Sequence, residues 1–289
     1  MSIEALLQEG LKPLRPRPTA EKFRGGLRHP VAAVLFDIYG TLIISASGDI
    51  SASGDIGRDR SRGDSGPALD RWMRGAGFIP PSAGVRAALT AVIKKAHAES
   101  RARGVAYAEV VIEEMWGRIY PQAPQEQLRR LALAYELRVN PVWPMPGLSR
   151  CLTRLRRNGV RLGIVSNAQF YTPLIMEHFL GGSLEQNGFL ETLCFFSYRA
   201  GEAKPGAALY EAAGERLRHY GIAPREAVMV GNDRRNDVSA ARAAGFQTVL
   251  FAGDARSLRW RREDADWDTG QPDMVITDLL QLSDHLQIG

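Results

Sequence analysis

The chain has 289 residues, of which 45% are hydrophobic and 24% are charged, the balance of a globular protein with room for one large domain or two smaller ones. Its formal net charge of +5 comes from scattered basic residues rather than a Lys/Arg block with interleaved aromatics, which argues against nucleic-acid binding. No apolar run approaches the roughly 18 residues of a membrane-spanning helix, and residues 1–30 lack the apolar segment of a secretory signal. We therefore expect a cytoplasmic protein with no membrane partner, whose basic balance suits a small anionic substrate. The two cysteines, Cys151 and Cys194, are too few for a disulfide framework, and we expect buried free thiols.

The first elements along the chain are an extension and a buried strand. Residues 1–30 begin with a short amphipathic stretch and contain several prolines, which predicts an arm that packs on the domain or stays partly loose. Residues 31–42 contain an apolar run that ends on one carboxylate, Asp37, before the chain turns through Gly40 and Thr41. Such a run is typical of a strand buried on both faces, and open α/β sheets place their active sites at the carboxyl ends of these strands.

Residues 45–143 have the pattern of an insertion after this strand. A Ser/Gly/Asp sequence at 45–50 is repeated at once at 51–56, which predicts a mobile loop over 45–66, either a cover for the site or a neutral duplication. Apolar residues then recur at helical spacing from about 67 to 140, and three prolines mark the return of the chain. We expect a helical cap domain over 45–143.

Regular alternation of helices and strands begins at Pro146. The predicted strands are residues 160–165, 193–196, 227–230, 248–251 and 274–276. The predicted helices are residues 146–159, 171–179, 207–219 and 238–244. Because alternating strands and helices imply right-handed crossovers, we expect an α/β fold with a Rossmann-like, doubly wound parallel sheet built from residues 31–44 and 144–289. Residues 256–268 carry four Arg and four acids, and we expect a surface loop or short helix with internal ion pairs.

Polar residues follow four of the predicted strands. They are Asp37, the pair Ser166 and Asn167, Lys204, and the group Asn232, Asp233 and Asp237. Because the carboxyl ends of parallel strands share one edge of a sheet, these residues can converge although they are distant in sequence. An aspartate becomes a useful nucleophile when a lysine or a divalent cation screens the charge of an anionic substrate, and magnesium prefers carboxylate, carbonyl and water oxygens. The pattern therefore predicts a site that acts on an anionic group.

Each cluster also has a purely structural explanation. Asp37 can cap the turn after its strand, Ser166 and Asn167 can cap the next helix, and Asp237 can be a helix N-cap. Lys204 can be a solvated loop residue. Four such clusters in order, each after its own strand, favour the functional interpretation.

The four clusters resemble the four motifs of the haloacid dehalogenase (HAD) superfamily of hydrolases. In this chain the motifs are Asp37-Ile-Tyr-Gly-Thr41, Ser166-Asn167, Lys204-Pro205 and Gly231-Asn-Asp-Arg-Arg-Asn-Asp237. The resemblance covers residues 31–42 and roughly 146–282, with the helical insertion where that family carries its cap. It implies a covalent aspartyl intermediate on Asp37 and magnesium held by Asp37, the Tyr39 carbonyl and the fourth motif. The catalytic residues that it implies are Asp37, Tyr39, Thr41, Ser166, Asn167, Lys204 and Asp237.

The first motif departs from the phosphatase pattern at Tyr39. Phosphatases of the family usually carry a second aspartate at this position as general acid and base, a role that typically contributes about 10²–10⁴-fold in rate. Tyrosine, with an ordinary pKa near ~10, is a poor base at neutral pH. The Asp-x-Tyr-Gly-Thr-Leu sequence is also similar to that of the 2-haloacid dehalogenases, in which aspartate displaces halide and no leaving-group acid is needed.

The fourth motif, by contrast, favours a phosphatase. Those dehalogenases need no metal, whereas this motif resembles the acidic, metal-binding version of the phosphatases. A gapless register from Gly231 puts Asn232 at the ligand position, and a shorter spacing puts Asp233 there. Because a carboxylate binds magnesium better than an amide does, the sequence favours Asp233.

Together these features predict a magnesium-dependent, phosphatase-type hydrolase that acts on a small phosphorylated compound through an aspartyl-phosphate on Asp37. A 2-haloacid dehalogenase is one alternative. A catalytically weakened protein that uses the fold for binding or regulation is another. The sequence names neither the substrate nor the oligomeric state.

Overall fold

The computed structural model of the chain describes residues 2–47, 67–268 and 270–286. The duplicated Ser/Gly/Asp loop that the sequence predicts over 45–66 lies outside the described residues beyond Ser47. Among the residues that are described, no helix is both long and apolar enough to cross a bilayer.

The strands of the described ranges form a large sheet and a small ribbon. They are β1 Arg24–Gly25, β2 Ala33–Phe36, β3 Ile43–Ser45, β4 Val142–Pro144, β5 Arg161–Ser166, β6 Phe189–Phe196, β7 Ala227–Gly231, β8 Gln247–Phe251 and β9 Met274–Ile276. The large sheet has the order β1-β9-β8-β7-β2-β5-β6, and its pairs are parallel except for the antiparallel edge strand β1. The predicted α/β parallel sheet is confirmed.

Helices connect these strands. They are α1 Ile3–Gly10, α2 Pro67–Gly75, α3 Val85–Ala102, α4 Ile112–Ile119, α5 Gln125–Val139, α6 Leu148–Arg157, α7 Tyr171–Leu180, α8 Ser197–Ala200, α9 Ala208–His219, α10 Ala240–Ala243 and α11 Leu279–His285. A 3₁₀ turn covers Pro224–Glu226, and a π-helix covers Arg234–Ser239. The sequence predicts one helix from residue 238, whereas helical backbone already starts at Arg234, directly after Asp233, and includes Asp237.

Strand β2 lies at the centre of the sheet and positions the first motif. It pairs in parallel with β5 on one side and β7 on the other, with Phe36 opposite both Ile164 and Val230. Its alternate residues pack into two different cores, one on each face, and all four are fully buried. Burial on both faces explains why the sequence of this strand is continuously apolar. Asp37 follows at the carboxyl end, where the ends of β5 and β7 meet it.

The helices α2 to α5 lie between β3 and β4, which cross next to each other as an antiparallel ribbon with Ile44 opposite Trp143. Buried polar groups fix this crossing: Ser45 Oγ donates to Asn140 Oδ1 at 2.8 Å, and Asn140 Nδ2 donates to Glu136 Oε1 at 2.9 Å. The inserted helical cap that the sequence predicts is therefore present, while its outer boundaries at 45 and 143 stay a prediction.

The N-terminal extension contacts both the inserted helices and the sheet. Helix α1 packs on α5, where a β-carbon on Gly10 would come within 2.7 Å of Leu137 Cδ1. Further along, Thr19 Oγ1 donates to the Ala252 carbonyl at 2.6 Å, and β1 adds to the sheet edge at β9. Of the two outcomes that the sequence left open, the extension adopts the packed arm.

Candidate active site

The first motif presents a buried carboxylate at the centre of the sheet edge. The Asp37 backbone N–H donates to the Val230 carbonyl at 2.9 Å, so the main chain is still fixed by the sheet at the point where the side chain leaves it. Asp37 is 7% exposed. Its Oδ1 accepts hydrogen bonds from Ser166 Oγ at 3.0 Å and from Lys204 Nζ at 2.7 Å. The structure thus brings together the first three sequence clusters around one oxygen atom.

Lys204 is a buried cation between two aspartates. Its Nζ donates to Asp37, to Asp237 Oδ1 at 2.5 Å and to the Val165 carbonyl at 3.1 Å. Burial alone would lower the pKa of this amine, but the carboxylates of Asp237 and Asp37 raise the pKa of Lys204 well above its ordinary value. The side chain therefore stays charged at every physiological pH.

The second motif fixes the backbone of the third. Asn167 Oδ1 accepts the Lys204 backbone N–H at 2.7 Å, and Asn167 Nδ2 donates to the Lys204 carbonyl at 3.3 Å. An amide side chain is suited to this task because it offers one acceptor and two donors. Asn167 thus acts on Lys204 by holding its main chain.

The fourth motif folds back on itself around Asp237. The second oxygen of this carboxylate accepts the Asp233 backbone N–H at 2.9 Å. A β-carbon on Gly231 would lie only 2.2 Å from Asp237 Cγ, so only glycine allows this approach. Burial raises the pKa of Asp237, with Lys204 acting in the opposite direction. The N-cap that the sequence placed at Asp237 is instead Asp233, whose carboxylate accepts the N–H groups of Arg235 and Asn236 at the start of the π-helix.

The two candidate metal ligands of this motif have different surroundings. Asn232 lies beside the first motif: its Oδ1 accepts from Thr41 Oγ1 at 3.0 Å, and its Nδ2 donates to the Ser257 carbonyl at 2.6 Å. The Asp233 carboxylate, besides capping the π-helix, accepts from Arg261 Nη2 at 2.7 Å and Nε at 3.1 Å. These contacts do not support the preference for Asp233, because its charge is already neutralised by a guanidinium.

The donor set beside Asp37 fits magnesium. Within the described residues there is no cluster of three or more His, Cys, Asp or Glu side chains that could hold a metal by themselves. A buried carboxylate, a backbone carbonyl and an amide oxygen are nevertheless hard donors, and magnesium commonly takes only one or two carboxylates while it keeps several waters. Asp37, the Tyr39 carbonyl and Asn232 offer such a set, and Asp233 could join it only by releasing Arg261.

The Tyr39 hydroxyl is engaged within the fold. It is buried, and its oxygen lies 3.1 Å from Thr172 Oγ1 at the start of α7. A hydroxyl in this contact ties the first motif to α7, which is a positioning task.

A cavity of about 320 Å³ lies between the inserted helices and the sheet edge. Asn167 and Lys204 line it on the side of the sheet, and Arg101 and Glu109 line it on the side of the insertion. The loop that carries Glu109 is bonded to the segment before Lys204, since the Ala203 N–H donates to the Tyr107 carbonyl at 2.7 Å. A small molecule in this cavity would touch both parts of the protein.

Sequence reasoning missed several residues at this junction. Gln169 is fully buried; its Nε2 donates to the Val110 carbonyl at 2.8 Å, and its Oε1 accepts the Ile112 N–H at 2.9 Å. Ser197 Oγ donates to Glu109 Oε2 at 2.6 Å. One feature of the sequence could have indicated this role: Gln169 lies two residues after the second motif, where a polar side chain faces the segment that covers the sheet edge.

The ion pairs of residues 256–268 differ from the prediction. The sequence predicted ion pairs within this segment, but its charges pair with the fourth motif: Asp266 with Arg234 at 2.6 Å, Asp264 with Arg235, and Arg261 with Asp233. The reason is that Arg234 is fully buried and needs a counter-charge, which the nearby acids of this segment supply. The segment is therefore part of the site's support.

Comparison with known proteins places this geometry in a family. A family model for haloacid dehalogenase-like hydrolases matches residues 31–245, a range that includes all four motifs. Curated relatives include a phosphoglycolate phosphatase from Nitrosococcus oceani, 36% identical over 49% of this chain and 56% of its own length, and a phosphoserine phosphatase from Thermus thermophilus, 31% identical over 54% and 57%. The chain thus spans little more than half the length of these relatives.

Solved structures show the same fold. A 2-haloacid dehalogenase from Pseudomonas syringae pv. Tomato superimposes with a TM-score of 0.55 at 19% identity, covering 89% of this chain and 98% of its own. A HAD phosphatase from Thermococcus onnurineus superimposes with a TM-score of 0.50 at 20% identity, covering 89% and 100%. At these identities the likeness extends to the fold alone. With the family match over most of the chain, it follows that this protein is a member of the haloacid dehalogenase-like hydrolases.

Proposed function

We propose that the protein is a magnesium-dependent phosphatase that acts on a small phosphorylated compound, with Asp37 as the nucleophile. The observation that carries this proposal is the contact of Asp37 Oδ1 with both Lys204 Nζ and Ser166 Oγ in a buried site. A fixed cation and a hydroxyl donor beside a carboxylate are suited to an anionic group that the carboxylate attacks.

The reaction has two displacements at phosphorus. An Asp37 oxygen forms a bond to phosphorus as the bond to the leaving oxygen breaks, and water then attacks the same phosphorus, which frees Asp37 and releases phosphate. Lys204 and Ser166 stabilise the phosphoryl oxygens during both steps. Asn167 and Asp237 keep Lys204 in place through its backbone and its amine.

Magnesium would be held by Asp37, the Tyr39 carbonyl and Asn232, with Asp233 as the alternative ligand, and it would supply charge neutralisation for the phosphoryl group. Tyr39 does not supply the proton that a poor leaving group needs. We therefore expect aryl and acyl phosphates to be hydrolysed faster than simple alkyl phosphates.

The names of the curated relatives support the phosphatase hypothesis. Besides the two above, a glyceraldehyde 3-phosphate phosphatase from Pyrococcus furiosus is 27% identical over 63% of this chain and 76% of its own length. All three act on small phosphorylated molecules, which is the substrate class that we propose here.

A 2-haloacid dehalogenase is the second candidate, and Tyr39 is the observation that favours it. In halide displacement the leaving group needs no proton, so the absent aspartate would not matter. The buried Lys204–Asp37 contact would serve this reaction as well.

One experiment separates these activities. Release of phosphate and of halide is measured in parallel from p-nitrophenyl phosphate, acetyl phosphate and 2-chloropropionate, with magnesium and with chelator, and with Asp37→Asn as the blank. We expect magnesium-dependent phosphate release that Asp37→Asn abolishes. Halide release in the presence of chelator would establish dehalogenase activity. Absence of turnover on every substrate would favour a binding or regulatory protein.

A further inference from the structure

Several of the described side chains that line the cavity beside Lys204 are positively charged. Arg101 reaches it from α3, Arg235 from the π-helix and Arg261 from the segment after β8. With Lys204, four permanent cations surround a space of about 320 Å³. Lys204 links this space to Asp37, and in the proposed reaction it holds the phosphoryl group, which leaves the three arginines for another part of the bound molecule.

Glu109, the carboxylate among the described residues of this lining, is already engaged. Glu109 accepts from Ser197 Oγ at 2.6 Å and from the Val110 N–H at 2.9 Å. A carboxylate that holds these donors in the fold has less capacity left to neutralise guanidinium groups across the cavity.

Arg101 differs from the other two arginines. Arg235 pairs with Asp264, and Arg261 pairs with Asp233, whereas the Arg101 guanidinium makes neither a hydrogen bond nor an ion pair with any residue that the structure describes. It lies on the same face of α3 as His97, one turn away, and both side chains line the cavity. A guanidinium at a cavity wall with no partner among the described residues is available to a ligand.

The paired arginines are held in fixed orientations. Arg261 adopts φ 53°, a left-handed backbone that disfavours side chains, and its guanidinium is held by the Asp233 carboxylate at 2.7 Å. Arg235 lies in the turn that Asp233 caps. One wall of the cavity is therefore organised before a ligand binds, and preorganised donors lose little entropy on binding.

We propose that this cavity is a subsite for a second anionic group on the substrate, a carboxylate or a second phosphate, which Arg101 binds from the insertion side and Arg235 and Arg261 bind from the sheet side. This inference rests on the proposed function, which places the phosphoryl group at Asp37 and Lys204. A space of about 320 Å³ is at the lower end of the range for ligand pockets, which favours a small substrate.

The test compares three substrates with similar leaving groups: ethyl phosphate, phosphoglycolate and ethane-1,2-diyl bisphosphate. We measure kcat/KM for each substrate with magnesium, in the wild type and in the variants Arg101→Ala and Arg101→Lys. Lys95→Ala is the matched control, because it removes a cation from the same helix outside the cavity. A charge-assisted hydrogen bond predicts that the wild type prefers at least one doubly anionic substrate over ethyl phosphate by about 10- to 100-fold. Arg101→Ala should reduce this ratio toward one, Arg101→Lys should restore part of it, and Lys95→Ala should leave it unchanged.

The two doubly anionic substrates identify the group that is bound, since a preference for phosphoglycolate indicates a carboxylate and a preference for the bisphosphate indicates a phosphate. A ratio in Arg101→Ala equal to that of the wild type would overturn the subsite. If no substrate is hydrolysed, calorimetric binding of phosphoglycolate and ethyl phosphate replaces turnover. Tighter binding of phosphoglycolate that Arg101→Ala removes would then keep the subsite and reject the phosphatase, and equal binding of the two would reject the subsite.

Discussion

At the scale of single residues, the site depends on one lysine that is buried with two aspartates. Removing Lys204 would leave the carboxylates of Asp37 and Asp237 close together without a counter-charge, a situation that proteins tolerate poorly. The sequence predicted the members of this group, because each follows an apolar strand. It could not predict that Arg261 neutralises Asp233, since that pairing depends on how the 22-residue segment 252–273 between β8 and β9 folds back.

The exchange of Tyr39 for aspartate tests the missing acid. We expect Tyr39→Asp to raise the rate on ethyl phosphate relative to p-nitrophenyl phosphate by about tenfold or more, because only the alkyl leaving group needs a proton. The measurement is the ratio of the two kcat/KM values. Tyr39→Phe is the control and should leave the ratio as it is in the wild type; an unchanged ratio in Tyr39→Asp would mean that another group already supplies the proton.

The thiols give a prediction about pH. Burial raises the pKa of Cys151 and the pKa of Cys194 to about 12. Because the thiolate is the reactive form, only about one thiol in 10,000 is reactive at pH 8 in the folded protein, against about one in ten for an ordinary thiol of pKa near 9. Iodoacetamide at pH 8 should therefore modify the native chain very slowly and the urea-unfolded chain quickly, as followed by mass spectrometry. Rapid modification of native protein would show that the helix or strand around the thiol opens.

At the scale of elements, predictability followed burial: β6, the longest strand, was predicted only over residues 193–196, and its more exposed first half was missed. Long apolar strands such as β5, β7 and β8 were located to within one residue at each end, because burial on both faces leaves a continuous pattern. Strands β1, β3 and β4 have only two or three residues, too few for a periodicity, and they form because neighbouring segments bring them together. The π-helix after β7 could not be predicted, since it depends on the contact of Asp237 with Lys204 and with the Asp233 main chain.

Gln169 connects the loop after β5 to the start of α4, and this connection can be tested. Gln169→Ala leaves the Ile112 N–H and the Val110 carbonyl without their partner, which should lower the free energy of unfolding by about 1–3 kcal/mol. Trypsin should also cleave faster after Arg103, in the loop between α3 and α4. Urea denaturation and timed proteolysis measure the two effects, with the exposed Gln127→Ala in α5 as the matched control. Equal stability of the two variants would show that the contacts of Gln169 do not stabilise this connection.

At the scale of the whole molecule, the N-terminal arm is the feature that the sequence described least well. Its amphipathic start was visible, but its partner could not be read, because α1 packs on α5, more than 100 residues away. From Thr19 onward the arm contacts the sheet, and the Glu21 carboxylate accepts the Trp260 indole N–H at 2.7 Å. Contacts between segments so distant in sequence arise from the tertiary fold and leave no local pattern.

Leu7 tests whether this arm contributes to stability. It is 4% exposed in the core that α1 shares with α5, so Leu7→Ala should lower the free energy of unfolding by about 2–5 kcal/mol. Gln8→Ala, an exposed neighbour on the same helix, should have a small effect. Urea denaturation of both variants measures the difference, and identical midpoints would show that the helix does not dock in solution.

The arm also changes how the inserted helices can move. Two adjacent chain crossings, at β3 and β4, connect the inserted helices to the rest of the protein. Such a connection allows a hinge rotation about the line through the two crossings. The arm adds a third attachment away from that line, since α1 is fixed to the insertion while residues 19 to 25 are fixed to the sheet. We expect this third attachment to restrict turning of the inserted helices relative to the sheet.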